Sequence, residues 1–412
     1  MRKNKLVLSF IAILFATTIS FGQNNTNSPY TRFGFGEVID NYSGEQRGMG
    51  GIALGHRSPS VINTFNPASY SSVDSLSFMF DIGVSARMSA FSDPAGKETS
   101  FAGNLEYITM QFPIGKWVGV SGGILPYSFS GYDFRNTEKR VLAPNDTITG
   151  TKTYYGQGGI SQVYGGVSLN LFDYVSLGVN AYYMFGNSYN TRNISFSDGS
   201  VSGMEENRIN VNDLRFRYGL QFHNTFADKH KVGAGVIFEP KKSLNAKAIT
   251  TTFGILTDTI TSDNNMFDLP MHYGAGVFYT YDNRLSVGLD YTMQSWKNAK
   301  FFGQTDTLAN RSKIAIGAEY IPNPQGRRFF EHIRYRAGFN VSNSYYHVNG
   351  ISMPKNIGAS LGFGIPLPQA KTILNATFEY GKMGSNNLLN ENYLKLTFNA
   401  TINEVWFFKR KL

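Results

Sequence analysis

Six histidines, His56, His223, His230, His272, His332 and His347, are the side chains best suited to acid–base or metal chemistry in this chain. No two stand at HExxH spacing, and no compact His/Asp/Glu group offers a ligand set, so no metal site is expected. Glu331-His332 is an adjacent acid–histidine pair, a weak basis for a site by itself. Cysteine is absent, which excludes thiol nucleophiles, thiolate metal sites and redox pairs. The pairs Gly122-Gly123, Gly158-Gly159 and Gly165-Gly166 lack a following helix and a Lys-Ser/Thr, so they are not phosphate loops and serve to relieve crowding or permit bends. A serine and a histidine meeting at a barrel rim is the hydrolytic arrangement that spacing leaves open, and no motif supports it. The chain therefore reads as a non-enzyme without cofactor.

The elements that hold these residues are strands. Val175, Leu177, Val179, Ala181, Tyr183 and Phe185 alternate with Ser176, Gly178 and Asn180. Val287, Leu289, Tyr291 and Met293 alternate with Ser286, Gly288, Asp290, Thr292 and Gln294. Leu394, Leu396, Phe398, Ala400 and Ile402 alternate with Lys395, Thr397, Asn399 and Thr401. A period of two over nine or more residues gives one apolar and one polar face. Strands this long suit a membrane barrel with lipid on the apolar face, and Asp290, Glu319 and Lys395 suit a wet or plugged interior. After the N-terminus no apolar run approaches the ~20 residues of a spanning helix.

About 14 strands are legible, near 75–90, 101–113, 116–132, 152–170, 174–190, 208–225, 229–242, 268–281, 284–298, 308–320, 330–346, 355–366, 371–383 and 392–408. The fold class is all-β, a transmembrane antiparallel barrel. Links alternate in length. Ile114-Gly115, Leu171-Phe172-Asp173, Ala227-Asp228 and Asp282-Asn283 are short, whereas 133–151, 191–207 and 243–267 are long. Link 321–329 is longer than its class. Short periplasmic turns and long outer loops produce such alternation, and place both termini on the periplasmic side. Trp117, Tyr174, Tyr281 and Trp406 stand beside short turns or the last strand's end, where an interfacial girdle of aromatics is expected.

Arg2, Lys3 and Lys5, the apolar stretch Leu6 to Ala16 and Ser20-Phe21-Gly22 form a secretory signal over residues 1–22, too short for a membrane anchor. Its three basic residues lower the formal charge from +9 to +6. No basic block or helical face remains that would suit nucleic acid. Residues 23–74 show little alternation. They form a leader or a plug, and the apolar content of Phe33, Phe35, Tyr42, Met49, Ile52, Leu54 and Phe65 argues against disorder. The barrel occupies 75–412.

Tyr42-Ser43-Gly44 through Gly48-Met49-Gly50-Gly51, then Asn66-Pro67-Ala68, resembles the N-terminal hatch of the long-chain fatty-acid transporter (FadL/OmpP1/TodX) family. Gly119-Val120 through Leu125-Pro126-Tyr127-Ser128 and Gly131-Tyr132 is similar to its third strand. Leu269-Pro270, Tyr273-Gly274, Asp290-Tyr291 and Trp296 resemble its middle strands. The resemblance implies 14 strands with an N-terminal hatch inside, and passive uptake of hydrophobic small molecules through the lumen, at times with lateral exit into the bilayer. Gly48, Gly50 and Gly51 would permit close backbone approach, while Asn66, Pro67 and Ala68 would close a turn. The ending Trp406-Phe407-Phe408 followed by Lys409-Arg410-Lys411-Leu412 displaces the terminal aromatic and resembles Bacteroidetes-type members. Some of those are subunits of larger outer-membrane machines, so a second function stands beside transport: an accessory subunit of an assembly or secretion machine. Expected partners are outer-membrane lipids, a hydrophobic ligand, the barrel assembly machinery during insertion and other outer-membrane proteins.

Overall fold

The computed structural model describes residues 26–405, apart from 95, 144–145, 201, 255–256, 263–264, 349–353, 368–370 and 385–388. The signal and Trp406 lie outside the described residues. Fourteen strands form the wall. They are β1 (Ser77–Asp93), β2 (Gly96–Ile114), β3 (Val118–Ala143), β4 (Asp146–Leu171), β5 (Val175–Phe196), β6 (Gly203–Phe226), β7 (His230–Glu239), β8 (His272–Tyr281), β9 (Leu285–Gln294), β10 (Arg311–Tyr320), β11 (Arg334–Asn343), β12 (Lys355–Pro366), β13 (Ile373–Gly384) and β14 (Asn390–Val405). All neighbours are antiparallel, and β14 returns to β1 from Val405↔Ser77 to Asn390↔Ser92, closing the barrel. Closure pairs every wall strand on both sides, as a bilayer without water demands of its backbone.

The alternation read from the sequence is the alternation of exposure. Leu177, Tyr183, Phe216, Leu220, Val287, Leu289, Ile314, Ile316, Leu394 and Phe398 point outward and exposed. Ser176, Asn180, Arg217, Asp290, Glu319, Arg336 and Thr397 point inward and are buried. Trp117, Tyr174 and Tyr281 are exposed beside the short turns.

Four segments differ from the sequence reading. The links read as loops at 133–151, 191–207 and 243–267 are largely strand. β3 and β4 pair up to Ala143↔Asp146, β5 pairs with β6 to Ile194↔Gly203, and a hairpin of Ala246–Phe253 and Asp258–Ser262 continues the sheet on β6. Here the outer face is largely polar and the inner face mixes Phe134, Tyr154, Ile194 and Phe196 with Lys152 and Arg192, so no lipid-facing period marks the strands. A six-stranded sheet thus rises beyond the wall on one side. It leans along a line of backbone irregularity, with a bulge between Pro126 and Ser128 and positive φ at Gly159 (151°) and Gly186 (144°). The segment read as a strand from 330 starts at Arg334, because 321–333 folds as a turn. Asn323 N–H donates to Glu331 O and the Glu331 carboxylate accepts from Arg328 N–H.

β2 and β3 pair only from Ile108↔Ile124 to Ile114↔Val118. Above that, β2 stays with β1 while β3 stays with β4, so the wall splits. Residues 27–39 occupy the split. Glu37–Val38 pairs with Phe129 and Ser128, Ile39 N–H donates to Tyr127 O at 2.9 Å, and Asn27 donates to Ser100 Oγ at 2.7 Å.

Lipid exposure yields a test. Leu289→Arg, on the outward face midway along β9, should cost about 2–4 kcal/mol. Thr151→Arg, on the raised sheet, should stay within ~0.5 kcal/mol. Urea unfolding in phospholipid vesicles reads both.

Candidate functional site

The lumen is where polar chemistry concentrates, and residues 26–74 run through it from one end to the other. Ser28 donates to Glu391 Oε2 (2.6 Å) at the long-link end, while Asp74 pairs with Lys371 (3.0 Å) at the short-turn end. The termini, which the sequence places on one side, lie outside the described residues; the first described residues stand at the end opposite to the close of β14.

Aromatic side chains close the long-link end. Phe35 packs edge-on against Phe301 at 5.3 Å and lies 6.0 Å from both Phe267 and Trp296. Trp296 lies 4.6 Å from Tyr345, and Phe33 stacks on Tyr346 at 5.1 Å. Below this cap, Asp40 takes a bidentate contact from Arg311 (3.0 Å each) and another from Lys313 (2.9 Å).

The middle of the segment is a single helical turn, α1 (Gly44–Gly48), started by Ser43 in a capping box with Gln46. It projects two charges into the wall. Glu45 meets Arg336 at 2.7 Å, Arg334 at 3.4 Å and His56 at 3.2 Å, and Arg336 also holds Glu319 at 2.7 Å. Arg47 meets Glu106 at 2.5 Å, which Lys395 shares at 2.6 Å. Glu45, Glu106, Glu319, Arg47, Arg336 and His56 are withdrawn from solvent, so each requires its partner, while Arg334 and Lys395 are partly exposed. Further on, Asp290 Oδ2 accepts the N–H groups of Ala53 (2.7 Å) and Leu54 (2.8 Å).

The residues singled out by the resemblance line this path. Gly50 has φ +71°, and a Cβ there would lie 2.8 Å from Phe339 N. Gly48 and Gly51 are buried beside it. Asn66 caps the 3₁₀ turn Pro67–Ser72 by accepting Ala68 N–H (3.2 Å), and its Nδ2 donates to Leu54 O (2.8 Å). Ala68 is wholly buried.

The sequence did not disclose why the inward face is rich in glycine. A Cβ on Gly119, Gly178, Gly235, Gly317 or Gly338 would come within 2.5 Å of hatch backbone, at Tyr70, Pro67, Leu54, Met49 and Gly50 respectively. These wall glycines form a mould in which the segment's main chain lies. Unlike them, Gly165 has nothing within 4 Å of the Cβ position.

Ser176 and His223 do meet near the short turns, with Oγ to Nε2 at 3.1 Å. Asn170 Oδ1 reaches the same Nε2 at 3.1 Å, and Ser176 is fully buried. No orienting group is thereby placed on the second ring nitrogen and no substrate reaches the hydroxyl, so the trio is a polar knot rather than a nucleophile. His332 Nε2–H donates to Gly326 O at 2.8 Å, within its own turn. No group of three or more metal-ligating side chains occurs among the described residues.

Two cavities stand out beside the hatch. One of about 80 Å³ is lined by Tyr30, Glu37, Arg87, Arg311, Tyr346 and Glu391, among others. The second, about 30 Å³, lies among Asp40, Phe65, Arg217, Glu239 and His272. Small-molecule pockets generally measure ~300–1,000 Å³.

A prediction follows from the buried charges. Arg336→Met leaves Glu319 without its cation and Glu45 with only the longer Arg334 contact among arginines, and should destabilise the hatch by about 3–5 kcal/mol. Hydrogen exchange should then accelerate at residues 43–56 and remain slow in β9 and β13.

A family model described as BamG matches residues 1–412. No curated protein matches the chain. Several solved structures share the fold. The CymD monoaromatic hydrocarbon channel is 13% identical with TM-score 0.57, over 90% of this chain and 99% of that one. The Ralstonia pickettii toluene transporter TbuX is 13% identical with TM-score 0.59, over 88% and 98%. A Pseudomonas aeruginosa FadL homologue is 13% identical with TM-score 0.59, over 90% and 99%. At such identity the likeness concerns the fold.

Proposed function

We propose, from the premise that this chain belongs to the BamG family, that it is a non-transporting accessory subunit of an outer-membrane assembly machine, with its short turns toward the periplasm. The observation that carries this reading is the filled lumen. The hatch is seated in a glycine mould and held by buried ion pairs to wall strands on several sides. The two cavities described beside it, of about 80 and 30 Å³, are smaller than a usual small-molecule pocket of ~300–1,000 Å³. The split between β2 and β3, the place where a lateral exit would open, is filled by residues 27–39.

Passive uptake of hydrophobic molecules is the competing reading. It draws on the fold shared with hydrocarbon channels, and one fold carries many functions. Uptake would require the hatch to leave its mould, stranding Glu45, Arg47 and Asp40 away from their partners. Two measurements decide. Purification in mild detergent should recover the chain in a stoichiometric complex with other envelope proteins; a lone monomer would overturn the proposal. Uptake of labelled toluene and oleate should be equal in cells with and without the gene, and faster uptake with it would favour transport.

A further inference from the structure

The sheet that rises beyond the wall has an uncovered apolar corner. Its lower rungs are buried under the aromatic cap, through Ile160, Met184, Ile209, Val211, Ala246 and Ala248. One rung higher, Tyr132 is buried and donates its hydroxyl to Asn190 at 2.8 Å. Above that the same face carries Phe134 opposite Tyr154, Ile194 opposite Lys152 and Phe196 opposite Gly150. Phe134 and Tyr154 stack at 5.0 Å. Arg32 of the hatch lies over the Tyr154 ring at 4.1 Å, which fixes this as the lumen side. Phe196 is 41% exposed.

The reverse face of the same strands presents Tyr155 at its foot and otherwise polar residues, Arg135, Thr137, Thr149, Thr151, Thr153, Thr191, Asn193 and Ser195. In the wall the apolar side looks outward. Here it looks inward, and a sheet's apolar face is stable when another layer covers it. Lipid is not that layer: Ile194 and Phe196 face the lumen side, roughly 16 Å of extended strand beyond Tyr189, the last outward aromatic on β5.

We propose that this inner face, at the corner of β3, β4 and β5, seats an extracellular domain of a partner subunit whose contact surface is apolar and acidic. The inference rests on the accessory-subunit reading and adds where, and to what chemistry, the partner binds. Charge selects the occupant. Among the described residues Lys152 is matched by Glu138 (3.1 Å), while Arg32 and Arg192 are exposed without an ion pair. A second copy would set these arginines against their own kind, whereas carboxylates would meet them. The free edge of β3 is not the seat. Asp133, Arg135, Glu138 and Lys139 lie along it, and charged edges deter strand addition. Three strands at ~4.8 Å spacing over about 20 Å of height offer roughly 300 Å², about a third of the ~800 Å² that one partner contributes to a typical interface.

The test uses the full chain in cells, with a photo-crosslinking amino acid at Tyr154 or Ile194 on the inner face and at Thr153 or Asn193 on the reverse. Folding is checked by heat-modifiable mobility, and the complex is purified in parallel. The expected result is one polypeptide crosslinked from both inner sites, at a peptide bearing Asp or Glu among apolar residues, with no adduct from the reverse sites. Arg32→Glu should lower the inner adduct at least five-fold. Adducts from the reverse sites, a second copy at the inner sites, or lipopolysaccharide there would each overturn the docking inference while a co-purified complex leaves the subunit reading intact. Recovery of a lone monomer overturns both.

Discussion

Everything inside this barrel depends on one requirement: a main chain crossing the lumen must have its backbone and its charges satisfied by the wall. The wall answers in two ways. Glycines at inward positions withdraw their Cβ atoms, so that the hatch backbone lies within contact distance of the strands. Charged side chains at neighbouring inward positions meet those of the hatch, with Arg336 between Glu45 and Glu319, and Glu106 between Arg47 and Lys395. Neither device works alone. Without the glycines the charges could not approach. Without the charges, a polar lumen would hold the segment no better than water does.

The same fit governs permeability. Among the described residues β2 and β3 separate early, and residues 27–39 supply the missing neighbour through Glu37–Val38 and Thr31, whose hydroxyl donates to Gly131 O at 3.0 Å. The hatch is thus a filling for the lumen and part of the wall. The fold shared with hydrocarbon channels sets the cylinder, and one fold carries many functions.

Outside the bilayer the polarity of the sheet inverts. β3, β4 and β5 carry apolar residues outward where lipid surrounds them, and Phe134, Tyr154, Ile194 and Phe196 inward where it does not. The bend at Pro126, Gly159 and Gly186 separates the two regimes. It lets continuous strands serve first as membrane wall and then as a free-standing surface.

Local sequence determined the wall. Alternation such as Leu394-Lys395-Leu396-Thr397-Phe398 marks a strand with lipid on one side, because the bilayer penalises every polar residue facing it. The strand number and the closure by parity followed from the same pattern. The raised sheet escaped notice for the converse reason: Thr149, Thr151, Thr153 and Asn193 face water, and no period survives where neither face is selected for lipid. The hatch was visible as apolar residues and glycines without alternation, and Asp290, Glu319 and Lys395 as charges on a lumen face. Their pairing was not, because Glu45 and Arg336 are distant in sequence and only closure of the barrel brings them together. Spacing left a Ser/His meeting open without pointing to one, and only the tertiary structure placed Ser176 and Asn170 on one nitrogen of His223. Periodicity is a local property and was legible; which side chain meets which across the lumen is set by strand register and ring closure, and no local stretch of sequence contains it.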